Sequence, residues 1–463
     1  MPASKKPLIE RWWVLGGIFL FHAGLAIAMR GQPSLAKVHA LATLGYGTYV
    51  AYSSKRFYPV VYVAAYVAGC EVLWRMTGAI TIGWEICKYA TSAYFLLALY
   101  RMQRPRIQAE PLLYLTCLLP SVILTFAMFG LDSRKPLLFN LSGPIALAIS
   151  SFFFANFRMS RERYWNMCLA FTAPIIGVAA ITASGTYGNS DIVFADSSNV
   201  DTSGGFGPNQ VSAVLGLASL MMLRYLMEGK TSIARKLVVL AAFLACTVQS
   251  AMTFSRGGLY AMAGGFLAGL FFLLRDSRFR ARAVLTAAAV TISALVILPV
   301  LNSYTSGALL NRFQDTDTTR RGDLVREDLQ MWAEHPIFGV GVGISRLHHD
   351  GQLAAHTEFS RLVAEHGVFG IAGVILLVVM TWQRLRTSRS PAEQANTASS
   401  VIWSFLTMSA ASTRVVATSL MFGVGQVRFT DADRVRVPRT STRIGESAAR
   451  GITTDPLRPI RSV

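Results

Sequence analysis

Charged residues are scarce in this sequence: Asp, Glu, Lys and Arg make up only 15% of its 463 residues, whereas hydrophobic residues make up 52%. A soluble globular domain usually carries roughly a quarter charged residues, so this balance excludes an ordinary soluble protein. Apolar runs of about 18 to 22 residues recur from end to end, which is the length that crosses a hydrocarbon core of ~30 Å as a helix. The sequence therefore predicts an all-α, polytopic transmembrane protein with about 12 spans.

Cysteine and acidic residues are also few. The five Cys residues lie in or beside apolar runs without paired spacing, which predicts small core residues and not disulfides or metal ligands. The 44 Lys and Arg outnumber the 25 Asp and Glu, a balance that nucleic-acid binders share. Here the basic residues lie mainly in short loops between apolar runs, which is the positive-inside pattern of membrane proteins. We therefore expect a lipid bilayer and no nucleic acid as partner.

The basic loops all fall on one side of the membrane if the N-terminus is cytoplasmic. The opposite side then receives residues 184–207 and one long polar stretch, residues 302–366. Two apolar segments, 368–382 and 401–423, follow that stretch and bring the number of apolar segments to thirteen. An odd number of spans would place the Arg-rich C-terminal tail on the extracytoplasmic side, which contradicts the positive-inside rule. Either one span is miscounted or segment 401–423 does not cross as a single helix.

The polar stretch 302–366 is the chemically richest part of the chain. It holds five of the seven histidines, a dense patch of charge and the glycine cluster of "FGVGVG". We expect one transmembrane domain, residues 1–429, whose extracytoplasmic loop 302–366 contains amphipathic helices and carries the chemistry. Residues 430–463 are polar, basic and without periodicity, which predicts a disordered tail.

Arg256, in "TFSRGGLYAMAGG", lies where one apolar run ends and the next begins. Ionisable residues near apolar spans are costly, which makes them functional candidates. An interfacial anchor is the alternative, because Arg extends readily to the membrane surface. Gly257 and Gly258 remove side-chain bulk, which predicts room for an anionic ligand at the guanidinium and at the amides of a helix start.

Two further arginines, Arg320 and Arg321, begin the segment "RRGDLVREDLQMWAEHP". The spacing of Val325, Leu329 and Trp332 predicts an amphipathic helix over residues 322–332 that lies on the outer membrane surface. Its charges form either a solvated face or a site, and the sequence leaves both open. Physical reasoning does not separate Arg320 from Arg321.

His356 precedes "TEFSRLVAEHG", which predicts a helix capped by Thr357. A histidine at such a junction suits a general base near neutral pH, and a polar residue at a helix start is the alternative. The other histidines of the stretch show no HExxH spacing, so we expect no metal and no other cofactor. "FGVGVGI" lacks the Lys-Ser/Thr of a phosphate loop and predicts a tight turn.

Four segments between about Gly207 and Gly423, taken in order, resemble the bacterial O-antigen ligase and O-antigen/exopolysaccharide polymerase family. They are "GPNQVSAVLGL", "FSRGGLYA", "RGDLVREDLQMWAEHPIFGVGVG" and "HTEFSRLVAEHGVFGIAG". The resemblance implies a GT-C-like, inverting, metal-independent glycosyltransferase in the bacterial inner (cytoplasmic) membrane, with its active site on the periplasmic side. It implies a glycan on undecaprenyl pyrophosphate as donor and other polysaccharide-assembly membrane proteins as further partners.

The same resemblance implies that Arg256 and Arg321, with Arg320 as the alternative, bind the donor pyrophosphate and that His356 is catalytic. Val325 stands where the family usually has an aromatic residue, and Thr357 where it usually has Asn or Ser. The acceptor is a lipid A core in a ligase and another lipid-linked glycan in a polymerase, and the sequence leaves this choice open. A flippase for lipid-linked glycans or another small-molecule transporter is the alternative function, although no internal repeat supports it.

Overall fold

The computed structural model describes residues 11–79, 83–187, 192–194, 197–229, 231–315, 321–349, 357–411 and 413–430, without the side chains of residues 278 and 411. All of them belong to one compact unit, Met1–Thr430. These described parts contain seventeen α-helices and one pair of two-residue strands, so the all-α class is confirmed. The tail beyond Thr430 lies outside the described residues, and its disorder stays a prediction.

The helices before the polar stretch follow one another with short connections. They are α1 (Trp12–Gly31), α2 (Pro33–Ser53), α3 (Tyr58–Met76), α4 (Ile86–Arg101), α5 (Ala109–Phe129), α6 (Arg134–Asn156), α7 (Arg161–Tyr187), α8 (Pro208–Glu228), α9 (Ile233–Met252), α10 (Arg256–Leu273) and α11 (Ser277–Tyr304). A 3₁₀ turn, Gly130–Ser133, joins α5 to α6, and strand β1 (Arg158–Met159) lies between α6 and α7.

The polar stretch forms short helices, and three more helices follow it. They are α12 (Ala308–Gln314), α13 (Arg321–Glu334), α14 (Ser345–His348), α15 (Glu358–Thr387), α16 (Pro391–Ala411) and α17 (Val416–Val424), with strand β2 (Arg428–Phe429) after them. The helical prediction for residues 322–332 is confirmed by α13. Helix α15 bends at Gly367, whose φ of 58° is not helical.

Eight helical segments of the described residues are long and apolar enough to cross a membrane. They are α1, the run Ala109–Asn156 through α5 and α6, helices α7 to α10, Phe279–Tyr304 of α11, and α15. Large apolar side chains such as Leu20 and Leu295 remain exposed on these helices, as a surface that lipid covers requires. The multi-pass class is therefore confirmed, whereas the number of spans stays a prediction.

Helix α10 packs against α8 and α16 through small residues. A Cβ at Gly258 would clash with the backbone of Ser212 on α8, and a Cβ at Gly216 would clash with the backbone of Gly258. Small residues let helix backbones approach closely, which is how helices associate in lipid. The start of α10, and Arg256 with it, is thereby held against α8.

The apolar segment 401–423 forms two helices, which confirms the alternative that it does not cross as a single helix. Helix α17 runs back beside α16: the Thr397 hydroxyl near the start of α16 donates to the carbonyl of Gly425, just past α17, at 2.8 Å. Strand β2 then pairs in parallel with β1, next to the basic loop between α6 and α7. The chain thus returns to the end of the bundle where α16 began, which removes the conflict with the positive-inside rule.

Buried side chains satisfy the backbone where α16 breaks from α17. The carboxylate of Glu71 accepts the N–H of Val416 at 2.6 Å. The guanidinium of Arg75 donates to the carbonyl of Arg414 at 3.1 Å. Irregular backbone inside a membrane-embedded bundle is tolerated only with such partners, because an unsatisfied peptide group there costs several kcal/mol. An apolar run alone does not reveal this break.

We predict that residues 388 and 430 lie on one side of the membrane and residue 306 on the other. In a cysteine-free background, Ser306→Cys should react with an impermeant maleimide in intact spheroplasts. Ser388→Cys and Thr430→Cys should react only after permeabilisation, because α16 and α17 form a hairpin. Labelling of Thr430→Cys, but not of Ser388→Cys, in intact spheroplasts would contradict the hairpin.

Candidate active site

Arg321 and Ser255, the residue before Arg256, lie far apart in the sequence but share Asn209 near the start of α8 as a hydrogen-bond partner. The Ser255 hydroxyl donates to the Asn209 Oδ1 at 2.7 Å. Nη2 of Arg321, the first residue of α13, donates to the same oxygen over 3.5 Å. Arg256 donates from Nη1 to the carbonyl of Asp315. The structure therefore brings together three of the four segments that carry the resemblance.

A third arginine, Arg312 of α12, belongs to the same cluster. It is buried, its Nε donates to the carbonyl of Phe254 at 3.2 Å, and its Nη1 lies 3.0 Å from the carboxylate of Asp315. Burial lowers the pKa of the Arg321 guanidinium, and the positive charges of Arg256 and Arg312 lower it further. The Asp315 carboxylate compensates part of this positive charge, and an anion with several oxygens would relieve the repulsion that remains on Arg321 through charge-assisted hydrogen bonds.

Sequence reasoning placed Arg312 within a patch of charge but gave it no role. Its position depends on how α12 folds back against the end of α9, which local spacing does not reveal. One signal was present: Arg312 lies nine residues before Arg321, in the same polar stretch. We define the arginine cluster as Arg256, Arg312 and Arg321.

The two glycines after Arg256 serve helix packing. Gly258 is buried against α8, where a side chain would clash with the backbone of Ser212. Gly257 faces α16, where an added Cβ would lie 3.2 Å from the Cβ of Ala410. The interpretation that Gly258 makes room for an anion is therefore wrong, because neighbouring helix backbone already fills that space.

The start of α8 is held in place by a buried ion pair on α3. Arg75 donates from Nη1 to the Gln210 Oε1 at 2.6 Å and from Nη2 to the Glu71 carboxylate at 2.7 Å. Gln210 adjoins Asn209, so this contact also positions the amide that Arg321 reaches. Sequence analysis missed this link, although a Glu and an Arg four residues apart inside an apolar run are a recognisable signal.

Helix α13 turns a face with a buried carboxylate toward the protein. The buried residues are Leu324, Asp328 and Met331, whereas Leu329 is 47% exposed. The predicted face of Val325, Leu329 and Trp332 toward the membrane surface stays a prediction. Asp328 lies on the inward face because its carboxylate has hydrogen-bond partners inside the protein, and a buried carboxylate requires them.

Asp328 contacts one residue before the chain segment 350–356 and one residue after it. One carboxylate oxygen lies 2.9 Å from Nε2 of His349, directly before that segment. The other oxygen accepts the hydroxyl of Ser360 at 2.5 Å, shortly after it. Thr357 caps α15 as predicted, since its side chain accepts the N–H of Ser360 at 3.2 Å. All three members of the Asp328 contact are buried.

Two predicted site residues, His356 and Arg320, lie outside the described residues. His356 directly precedes Thr357, and Arg320 directly precedes Arg321 at the start of α13. Their roles stay predictions.

The "FGVGVG" segment forms the predicted tight turn and packs on the bend of α15. Its glycines at 339, 341 and 343 have φ values of 70°, 99° and 77°, a region that residues with a Cβ rarely adopt. The N–H of Val340 donates to the carbonyl of Ala364 at 2.9 Å, and the N–H of Val368 donates to that of Pro336 at 2.9 Å. This turn ties the end of α13 to α15.

Three other histidines of the polar stretch, which could in principle bind a metal ion, have partners within the protein. His349 contacts Asp328, His348 contacts the carbonyl of Ile344, and His366 contacts the hydroxyl of Ser121. Within the described ranges, no group of three or more His, Cys, Asp or Glu could hold a metal ion. Metal independence itself stays a prediction.

Residues 239–375 match the family model described as O-antigen ligase. The match supports assigning the chain to the O-antigen ligase family. This matched region runs from within α9 into α15 and contains the whole arginine cluster. The segment "GPNQ" precedes the matched region in the sequence. The O-antigen ligase match supports a glycosyltransferase-like role in cell-surface polysaccharide assembly for this multi-pass membrane protein. No curated protein matches the sequence.

We predict that the Asp328 carboxylate stabilises the O-antigen ligase region. Asp328→Ala removes the shared partner of His349 and Ser360 in a buried place, which should cost about 1 to 3 kcal/mol of unfolding free energy. Thermal unfolding of the purified protein measures this. Asp323→Ala, on the exposed side of the same helix, is the control, and equal unfolding temperatures for both variants would contradict the prediction.

Proposed function

We propose that this protein is a GT-C-like membrane glycosyltransferase that transfers a glycan from undecaprenyl pyrophosphate to an acceptor hydroxyl. The observation that carries the proposal is the proximity of three guanidiniums: Arg256 and Arg312 both contact Asp315, and their charges act on Arg321. Planar guanidiniums match phosphate oxygens in bidentate geometry. Three of them in one place suit a pyrophosphate better than a single phosphate.

The reaction forms one bond and breaks another at the anomeric carbon. The acceptor oxygen attacks that carbon, and the bond from the carbon to the pyrophosphate oxygen breaks with inversion. The lipid pyrophosphate leaves with the bonding electrons, so negative charge grows on its oxygens. The arginine cluster stabilises this charge, and His356 takes the proton of the acceptor hydroxyl.

We infer that the guanidiniums of Arg256 and Arg321 supply the charge stabilisation that Mg²⁺ supplies in many phosphate-dependent enzymes. The site then requires no metal ion. We further propose that it faces the periplasmic side of the inner membrane, because the basic loops mark the opposite side as cytoplasmic. A lipid A core and a second lipid-linked glycan both offer the required hydroxyl, so ligase and polymerase share this mechanism.

We predict that Arg256→Ala and Arg321→Ala each lower the rate of transfer by about 10² to 10³, because each removes a donor to the leaving group. Lys should restore little, since an ammonium does not reproduce the bidentate fork. Single-turnover assays with a synthetic undecaprenyl-pyrophosphate glycan measure the rate. Arg326→Ala, an exposed arginine on α13, is the matched control. Wild-type rates in both cluster variants would overturn the proposal.

We predict a different signature for His356→Ala. Transfer should slow by about 10² to 10⁴ while donor affinity stays unchanged, because a general base acts on the acceptor and not on the pyrophosphate. Donor binding and turnover are measured separately. His335→Ala, an exposed histidine of the same polar stretch, is the control. Full transfer by a folded His356→Ala variant would remove the histidine from the mechanism.

We also predict that chelation with EDTA leaves transfer by the purified protein intact. A loss of activity that a divalent ion restores would contradict the arginine mechanism. Such a result would instead favour His348 and His349 as metal ligands.

A further inference from the structure

Asn209, the second residue of α8, contacts both segments that carry Arg256 and Arg321. Its Oδ1 accepts the hydroxyl of Ser255 at 2.7 Å and Nη2 of Arg321 over 3.5 Å. A guanidinium only donates hydrogen bonds, so the oxygen of the amide, and not its nitrogen, must face Arg321. Ser255 directly precedes Arg256. One amide oxygen therefore lies between the chain segments that place two arginines of the cluster.

The same face of α8 also holds the backbone of Ser255. The Ser212 hydroxyl donates to the carbonyl of Ser255 at 2.9 Å, and Ser212 follows Asn209 by three positions. Residues three positions apart in a helix lie on one face, so both contacts come from the side of α8 that packs on α10. The side chain and the carbonyl of Ser255 are both fixed, which restricts where Arg256 begins.

The partner of Arg321 is a neutral amide, whereas Arg312 of the same cluster lies 3.0 Å from the carboxylate of Asp315. A carboxylate cancels much of the charge of a guanidinium beside it. An amide oxygen orients the guanidinium but leaves its charge uncancelled. A guanidinium also has five N–H donors, and the contact with Asn209 uses one of them. The remaining donors and the charge can act on a ligand.

We propose that Asn209 is a positioning residue of the donor site, which orients Arg321 through a neutral oxygen so that its charge acts on the pyrophosphate. The inference rests on the proposed function, because the uncancelled charge serves an anionic donor. Asn209 thereby gives a role to "GPNQ", which precedes the residues that the family model matches. Asp has nearly the same shape as Asn and would accept the same two hydrogen bonds. A structural role alone therefore permits Asp here, whereas the proposed role excludes it.

The test compares Asn209→Asp with Asn209→Ala in the full chain in nanodiscs. The probes are undecaprenyl pyrophosphate and neutral undecaprenol. Asn209→Ala should raise the Kd for the pyrophosphate about threefold, the effect of losing one weak hydrogen bond. Asn209→Asp should raise it roughly 30-fold, because the carboxylate takes a charge-assisted hydrogen bond of Arg321 from the ligand. Neither variant should change the Kd for undecaprenol.

The matched control is Gln330→Glu, which also converts an amide into a carboxylate. Gln330 is exposed and follows Arg321 by nine positions on α13, a distance of about 13 Å along a helix. It adds the same negative charge without touching the cluster. Its Kd for undecaprenyl pyrophosphate should equal that of the wild type.

Thermal unfolding and kinetics separate positioning from a structural role. Asn209→Asp should unfold at or above the temperature of Asn209→Ala, because the carboxylate keeps both hydrogen bonds, although it binds pyrophosphate less tightly. It should also raise the KM for the donor and leave the KM for the acceptor unchanged.

Three results would count against these assignments. An Asn209→Asp variant that binds undecaprenyl pyrophosphate at least as tightly as Asn209→Ala would overturn the inference alone. An Asn209→Asp variant that unfolds below Asn209→Ala would overturn it as well, since the carboxylate would not replace the amide. A wild-type protein that binds undecaprenyl pyrophosphate no better than undecaprenol would overturn the proposed function, and the inference with it.

Discussion

The ion pair between Arg75 and Glu71 is the interaction on which the geometry of the site depends. An isolated guanidinium in an apolar interior is costly, so Arg75 requires its carboxylate and further acceptors. These acceptors are Gln210 at the start of α8 and the carbonyl of Arg414 in the break between α16 and α17. Glu71 in turn satisfies a backbone amide of α17. One buried pair on α3 therefore positions the start of α8 and stabilises the break at which the last helices turn back.

The described parts of the polar stretch, residues 302–315, 321–349 and 357–366, pack against the helical bundle. Asp328 connects α13 to α15 through Ser360, and the glycine turn at 339–343 lies on the bend of α15 at Gly367. Arg361 between Glu358 and Glu365 adds an internal brace at the start of α15. These contacts surround the chain on both sides of the segment that carries the proposed base.

Arg321 differs in its surroundings from Arg224 and Arg361. Arg224 and Arg361 lie against carboxylates of their own helices, which is the arrangement of structural ion pairs. Arg321 instead contacts an amide oxygen, and the charges of Arg256 and Arg312 act on it. Clustered like charge raises the free energy of such a site, and an anionic ligand lowers it again. We infer function from that second arrangement.

Local properties of the sequence determined the helical class, the cap at Thr357 and the tight turn of "FGVGVG". Apolar runs, capping residues and turn glycines act over a few neighbouring positions, so a single sequence displays them. The tertiary structure alone decided the inward face of α13, the packing role of Gly258, the hairpin of α16 with α17, and the place of Arg312 in the cluster. Each of these depends on partners between 20 and several hundred residues away, such as His349 for Asp328 and Glu71 for Val416. Buried polar groups must find such partners wherever the fold provides them, and no local pattern specifies which they are.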